Sequence, residues 1–250
     1  MYLPKAPSGA FFMLYSRYMK FTILTIFPEV FDVLKSSILK RAEDAKKISI
    51  DIVNFRDYST DKHKKVDDTL YGGGKGMLLM CQPIYDAINK IDPKRKALRI
   101  YTSPKGIQFN QQVAQQLLLG VWNEFRAPEG VGVAPKSDPK KFKEIIILCG
   151  HYEGVDQRVI DLCIDLELSL GEFVMTGGEI AAMAFVDAVA RLLVLDKEAT
   201  ENESHSSNYL EEPQYTKPRE FMGLSVPEVL ANGNHKEIEK WKKENRKTKS

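Results

Sequence analysis

"LGEFVMTGGEIAAM", residues 170–183, reads as a buried strand that breaks at a double glycine and resumes as an alanine-rich apolar helix. A strand that feeds a helix directly is the repeating unit of an α/β domain. The loss of two side chains where the strand stops has two explanations. Gly177 and Gly178 let a turn adopt positive φ, or they let another group lie close against the backbone.

The same unit recurs on either side. KFTILTIF (20–27) is a buried strand, and PEVFDVLKSSILKRAEDAKK continues as a helix, with Pro28 suited to its first turn and Phe31, Leu34, Ile38 and Ala42 at helical spacing. ISIDIVNF (48–55), ALRIYTSP (97–104), EIIILCG (144–150) and LELSLGEFVM (166–175) supply further strands. Pro83–Ile91, NQQVAQQLLL (110–119), VDQRVIDLCI (155–164) and Ile180–Val194 supply helices. This alternation predicts an α/β fold with a mainly parallel sheet. Residues 120–143, with three prolines and three glycines, read as a surface excursion. Residues 195–218 are polar and without periodicity, so a boundary is expected near residue 200, with a short helical region from about Val226.

The chain has 250 residues, 43% hydrophobic and 28% charged, which suits a globular fold with a sizeable core. A formal net charge of +2 does not announce a nucleic-acid binder, although residues 233–250 hold seven Lys or Arg against three Glu. Cys81, Cys149 and Cys163 form no CxxC pair and suit a reducing cytoplasm. The first 18 residues lack a signal-peptide core and cleavage site and are set apart as an N-terminal extension, not native or disordered. No stretch approaches the ~20 apolar residues a membrane span needs.

Three strand ends share one character. YTSPKG (101–106), CGHYEGVDQR (149–158) and LGEFVMTGGE (170–179) each place small or turn-forming residues where a strand stops. In an open α/β sheet, ligands collect at such ends, and walls of bare backbone suit an adenine or ribose read by peptide N–H and C=O groups. No GxxxxGK[ST] and no GxGxxG after a strand occurs, which disfavours P-loop and dinucleotide chemistry. Neither a GxSxG elbow nor an HExxH is present. RDYSTDKHKKVDDTLYGGGKGM (56–77) combines three consecutive glycines with Arg56, Lys62, His63, Lys64 and Lys65. Bare glycine backbone can approach a phosphate or base while cations hold a nucleic-acid backbone. Asp57, Asp61, Asp67 and Asp68 can orient those cations or accept hydrogen bonds from a guanine edge.

FPEVF, RDYSTDKHKKVDDTLYGGGKGM, CGHYEGVDQR, GEFVMTGGE, YTKP and GNH, in that order, closely resemble the bacterial tRNA (guanine-N1)-methyltransferase family of the TrmD type. The resemblance runs from about Met19 to the tail. It implies a trefoil-knotted methyltransferase domain over 19–195, a flexible interdomain loop over 196–218 and a mainly helical tRNA-binding domain over 219–250. It also implies a cytoplasmic homodimer with active sites at its interface. The reaction would move a methyl group from S-adenosylmethionine to N1 of the guanosine immediately 3′ of the tRNA anticodon, with Mg2+ as a candidate helper. The rivals are a ribose 2′-O methyltransferase of the same superfamily and a tRNA-binding protein without catalysis.

By similarity, the cofactor would be surrounded by Tyr101, Ser103, Pro104, Gly150, Glu153, Leu170, Gly171, Glu172, Phe173, Val174, Met175, Gly177 and Gly178. Arg56, Asp57, His63, Asp67, Tyr71, Gly72, Gly73 and Gly74 would meet the tRNA. The family places an Asp general base before a Ser ahead of YTKP, and alignment back from YTKP puts Glu203 there, flanked by Glu201 and His205. Arg191 would stabilise charge developing on guanine O6. The sequence departs from the family at His151, where Arg is usual, at Leu70 in place of Pro, and in a shortened turn after Arg191.

Overall fold

The strand EIIIL, β6 (Glu144–Leu148), is almost wholly buried on both faces, and the architecture follows from that. A strand apolar on both sides needs a layer on each, the condition met by parallel sheets covered by helices. The structure, a computed structural model, describes residues 18–120, 142–194 and 209–248. The chain divides into two units, Met1–Val194 and Leu195–Ser250.

In the first unit, β1 (Met19–Thr25), β2 (Ile48–Asn54), β5 (Leu98–Gln108), β6 and β7 (Leu166–Ser169) form one sheet in the order β2-β1-β6-β5-β7. Every neighbouring pair is parallel. Alternate residues feed two cores. Phe21, Ile23, Ile145 and Ile147 face α1 (Ser37–Asp44), α3 (Gln111–Leu119) and α5 (Glu179–Val194), while Leu24, Ile146 and Leu148 face α2 (Cys81–Ile91) and α4 (Gln157–Cys163). Each fully buried Ile, Leu or Phe contributes about 1.5–3 kcal/mol relative to an exposed one. Beyond the pleat, one buried ion pair fastens the amino end of β5. Asp92 accepts from Arg99 Nε at 3.2 Å and Nη2 at 3.0 Å and from the backbone N–H groups of Lys96 and Ala97. Arg99 is only 3% exposed.

Three expected elements differ. The helix expected from Pro28 is a 3-10 helix (Pro28–Lys35) followed by α1, because Ser36 is extended and its Oγ donates to Val33 O. Phe31, Leu34 and Ala42 still reach the core. The strand expected through Met175 ends at Ser169, whose Oγ donates to Gly171 O at 2.9 Å and accepts from Gly171 N at 3.3 Å, folding the chain out of the sheet. Phe173 and Val174 are therefore exposed, although the run LGEFVM reads as buried strand. β5, conversely, runs on to Gln108 past the expected stop.

The second unit holds two short antiparallel pairs, β8 (Tyr209–Leu210) with β11 (Lys247–Thr248) and β9 (Glu220–Phe221) with β10 (Leu224–Ser225), beside α6 (Glu228–Ala231) and α7 (His235–Asn245). Its helices outweigh these short strands, as expected of a mainly helical unit. Glu212 accepts from Arg246 Nε at 3.0 Å and ties the strand region to the end of α7.

Candidate functional site: a pocket beyond the strand ends

The carboxyl ends of β5, β6 and β7 close around a pocket of about 220 Å³. β5 supplies one wall by leaving the sheet and returning. Thr102 and Ile107 both pair with Leu168, so Ser103–Gly106 bulge out between them. Gly106 permits the return, since a Cβ there would strike the backbone of Glu167 and Leu168.

β6 supplies the second wall. Gly150 donates its N–H to Thr102 Oγ1 at 3.2 Å, and the same hydroxyl donates to Leu148 O. A Cβ on Gly150 would lie 2.9 Å from Tyr101 Oη. Burial, and then the charge of Glu167, push the Tyr101 hydroxyl up to about 12, so it remains a neutral hydrogen-bonding group at physiological pH.

The loop after β7 forms the third wall and crosses back over the second. His151 and Gly177 form an antiparallel bridge, and Gly178 donates its N–H to Gly150 O at 2.8 Å. Here the double glycine finds its reason. Neither Gly177 nor Gly178 has positive φ, so turn geometry is not the need. A Cβ on Gly178 would collide with Thr102 Oγ1 and approach Gly150 N to 2.9 Å, and one on Gly177 would collide with the Glu179 carboxylate. What presses on this backbone is the protein itself, so cofactor contact is not needed to explain the glycines.

Glu179, the buried first residue of α5, accepts from Thr25 Oγ1 at 2.9 Å and ties the turn to the end of β1. Burial and the nearby Glu179 charge hold the Cys149 thiol well above its ordinary range.

Of the thirteen residues expected around a cofactor, twelve line this pocket, and Glu172 does not. Thr102, His151, Thr176 and Ala181 line it too without having been expected. Thr102 gives no sequence signal, because a β-branched residue inside a strand reads as strand alone. Arg191 is half-buried in the last turn of α5 and is not among the lining residues. Ten residues separate it from Ala181, about 15 Å of helical rise. Glu203, Glu201 and His205 lie outside the described residues.

The expected tRNA-facing residues lie on one continuous segment. Arg56 and Asp57 sit in a 3-10 turn (Phe55–Tyr58), and Asp67 pairs in β3 (Asp67–Asp68) with β4 (Leu78–Leu79). Asp61 accepts from the N–H groups of His63 and Lys65, which hold its carboxyl below the usual range. Lys64 pairs with Asp57 at 2.7 Å and Lys65 with Asp68 at 3.0 Å, so these aspartates orient the cations. Exposed pairs of this kind contribute little energy and open readily to a phosphate. Tyr71 is fully exposed, and Gly72, Gly73 and Gly74 hold φ of 86°, 81° and 126° with open space around them.

That segment is joined to the pocket. Glu153 N donates to Met77 O and Leu79 N to Gly154 O, each at 3.0 Å, and Gly76 lies against the Glu153 side chain. Among the described residues, no group of three or more His, Cys, Asp or Glu is placed to hold a metal ion. No helix among them is long and apolar enough to cross a membrane.

Fold and site together define an α/β domain with a crevice beyond the ends of its parallel strands, the place where domains of this class take small ligands. A family model described as tRNA (Guanine-1)-methyltransferase TrmD matches residues 19–120 and 136–250, and the chain belongs to that family. A tRNA (guanine-N(1)-)-methyltransferase of Mesomycoplasma hyopneumoniae is 48% identical over 231 residues, covering 91% of this chain and 90% of its own. One from Exiguobacterium sibiricum is 48% identical over 229 residues, covering 90% and 85%. The crystal structure of tRNA (m1G37) methyltransferase from Aquifex aeolicus superposes with a TM-score of 0.68 at 35% identity, covering 90% of this chain and 88% of that one.

Proposed function

We propose that the protein transfers a methyl group from S-adenosylmethionine to N1 of the guanosine immediately 3′ of the tRNA anticodon. The observation that carries this reading is the junction of Gly76–Leu79 with Glu153 and Gly154. It sets the basic, glycine-rich segment beside the pocket, so a base held by the first can meet a methyl donor held by the second. The pocket suits that donor chemically. Its walls combine bare peptide groups at the glycines, a neutral tyrosine and apolar side chains such as Leu170, Phe173 and Met175, surroundings that can read an adenosine by hydrogen bonds and contact.

S-adenosylmethionine supplies an electrophilic methyl group. Guanine N1 carries a proton at neutral pH, so a base must take it as the methyl arrives. Glu203 is the candidate base, and Arg191 would stabilise the charge left on O6. The distance along α5 between Ala181 and Arg191 supports an interface site in a homodimer, in which Arg191 serves the pocket of a second copy. The exposed Phe173, Val174 and Ile180 near the pocket mouth suit burial in such an interface. A trefoil-knotted path through the crossing of the loops after β6 and β7, and a cytoplasmic location, complete the reading. The described residues offer no cluster to hold Mg2+.

Incubation with methyl-labelled cofactor and unmodified tRNA, followed by digestion to nucleosides, tests the proposal. Label is expected in N1-methylguanosine. Label in a 2′-O-methyl nucleoside would transfer the reading to the ribose-methylating relatives, and no label would leave a binding protein.

A further inference from the structure

The His151 backbone is fixed on both sides, by the bridge to Gly177 and by its carbonyl accepting from Gly154 N at 3.0 Å. Its ring therefore has only side-chain freedom. That ring lies edge-on to Phe27, with centroids 4.9 Å apart at 67°, and stacked on Tyr152, at 5.0 Å and 21°. Its Nδ1 is buried and has no hydrogen-bond partner among the described residues, while the residue lines the pocket.

An orphaned polar atom in such a place is costly, and a phenylalanine of nearly the same shape would pack between the same two aromatic rings without that cost. We propose that His151 is a binding residue of the pocket and that Nδ1 makes a hydrogen bond to a polar atom of the bound methyl donor, reached by a small turn of the ring. The inference rests on the reading of the pocket as the methyl-donor site. It adds a polar side-chain contact to walls whose large side chains are mostly apolar or aromatic.

Calorimetric titration of S-adenosylmethionine into the full chain, alongside thermal melts, provides the test. His151→Phe should raise the melting midpoint by about 2–4 °C, since it removes the buried orphan. It should also lower affinity about tenfold, the equivalent of one hydrogen bond. His151→Asn places an amide near the position of Nδ1 and should bind within about threefold of the unaltered protein, whereas His151→Gln, which reaches toward the position of Nε2, should bind like the Phe variant. The Asn and Gln pair carries the test if the Phe variant does not fold.

Unchanged affinity in His151→Phe, or equal losses in the Asn and Gln variants, would overturn the assignment while leaving the pocket reading intact. Absence of binding by the unaltered protein would overturn both.

Discussion

Gly178→Ala is the sharpest probe of how the site is built. The added methyl would occupy the position of Thr102 Oγ1 and come within 2.9 Å of both Thr102 Cβ and Gly150 N. Nothing at that point is the loose end of a long side chain. The Thr102 hydroxyl must leave, losing its bonds to Gly150 N and Leu148 O at about 1 kcal/mol each. The two loops must also separate, and forced overpacking of this kind costs about 1–3 kcal/mol. The total is about 3–5 kcal/mol, equivalent to about 6–20 °C in melting midpoint for a chain of this size.

Thermal and urea denaturation followed by circular dichroism measure it, with an unchanged urea slope showing that the unfolded state is the same. Combining Gly178→Ala with Thr102→Ala should cost less than the sum of the single losses by at least about 1 kcal/mol, because the hydroxyl is already gone. Gly177→Ala should be milder, since its methyl collides with the end of the Glu179 side chain and meets backbone only at Gly150 O, at an ordinary 3.5 Å. A Gly178→Ala protein melting within about 2 °C of the unaltered one, a loss of no more than about 1 kcal/mol, would show that the crossing is not tight and refute the reasoning.

Asp92→Ala should destabilise by about 3–5 kcal/mol in urea titrations, because it leaves the buried Arg99 charge unpaired. The side-chain hydrogen bond from Arg158 holds the Asp156 carboxyl well below the usual carboxylate range, and Asp156 also caps α4 by accepting from Arg158 N at 2.9 Å. Its folded value is depressed, so its contribution is full above the unfolded value near 4 and fades as pH falls through the folded one; the melting difference between the unaltered protein and Asp156→Asn should close only in strong acid. Glu203→Gln and Arg191→Ala should each lower single-turnover methylation by ~10² to 10⁴ while S-adenosylmethionine still binds in calorimetry. Association with tRNA should weaken with salt by roughly 0.7 to 0.9 log units per log unit for each phosphate neutralised, and a chain ended at Val194, which keeps both apolar cores, should retain cofactor binding and lose tRNA binding in filter assays.

The strands β1 and β6 are legible because runs such as FTILTI and EIIIL are short, apolar and rich in β-branched residues, and β2 because ISIDIVN alternates. The end of β7 is not. LGEFVM has the composition of a strand, and only the Ser169 side chain, closing on Gly171, turns it out of the sheet. The double glycine does lie at the pocket, but for a different reason than a cofactor, since close approach to Gly150 and Thr102 is a long-range fact that no local pattern carries. Strand ends point to the pocket from composition alone, whereas the particular cofactor and tRNA residues come from family resemblance. Thr102 and the Glu179 tether to Thr25 give no sequence signal, because their partners are separated by 46 and 154 positions along the chain.

Those separations also govern when the site can exist. The pocket draws on Tyr101 through Ala181, and its third wall is fastened by residues as early as Thr25 and as late as Glu179. During synthesis the first strands can pair as they emerge, but the pocket cannot be complete until Ala181 has been made and has left the exit tunnel. Closure of loops this long makes assembly slow. A ligand that fits only the finished crossing would stabilise that state and shift the last folding equilibrium toward it.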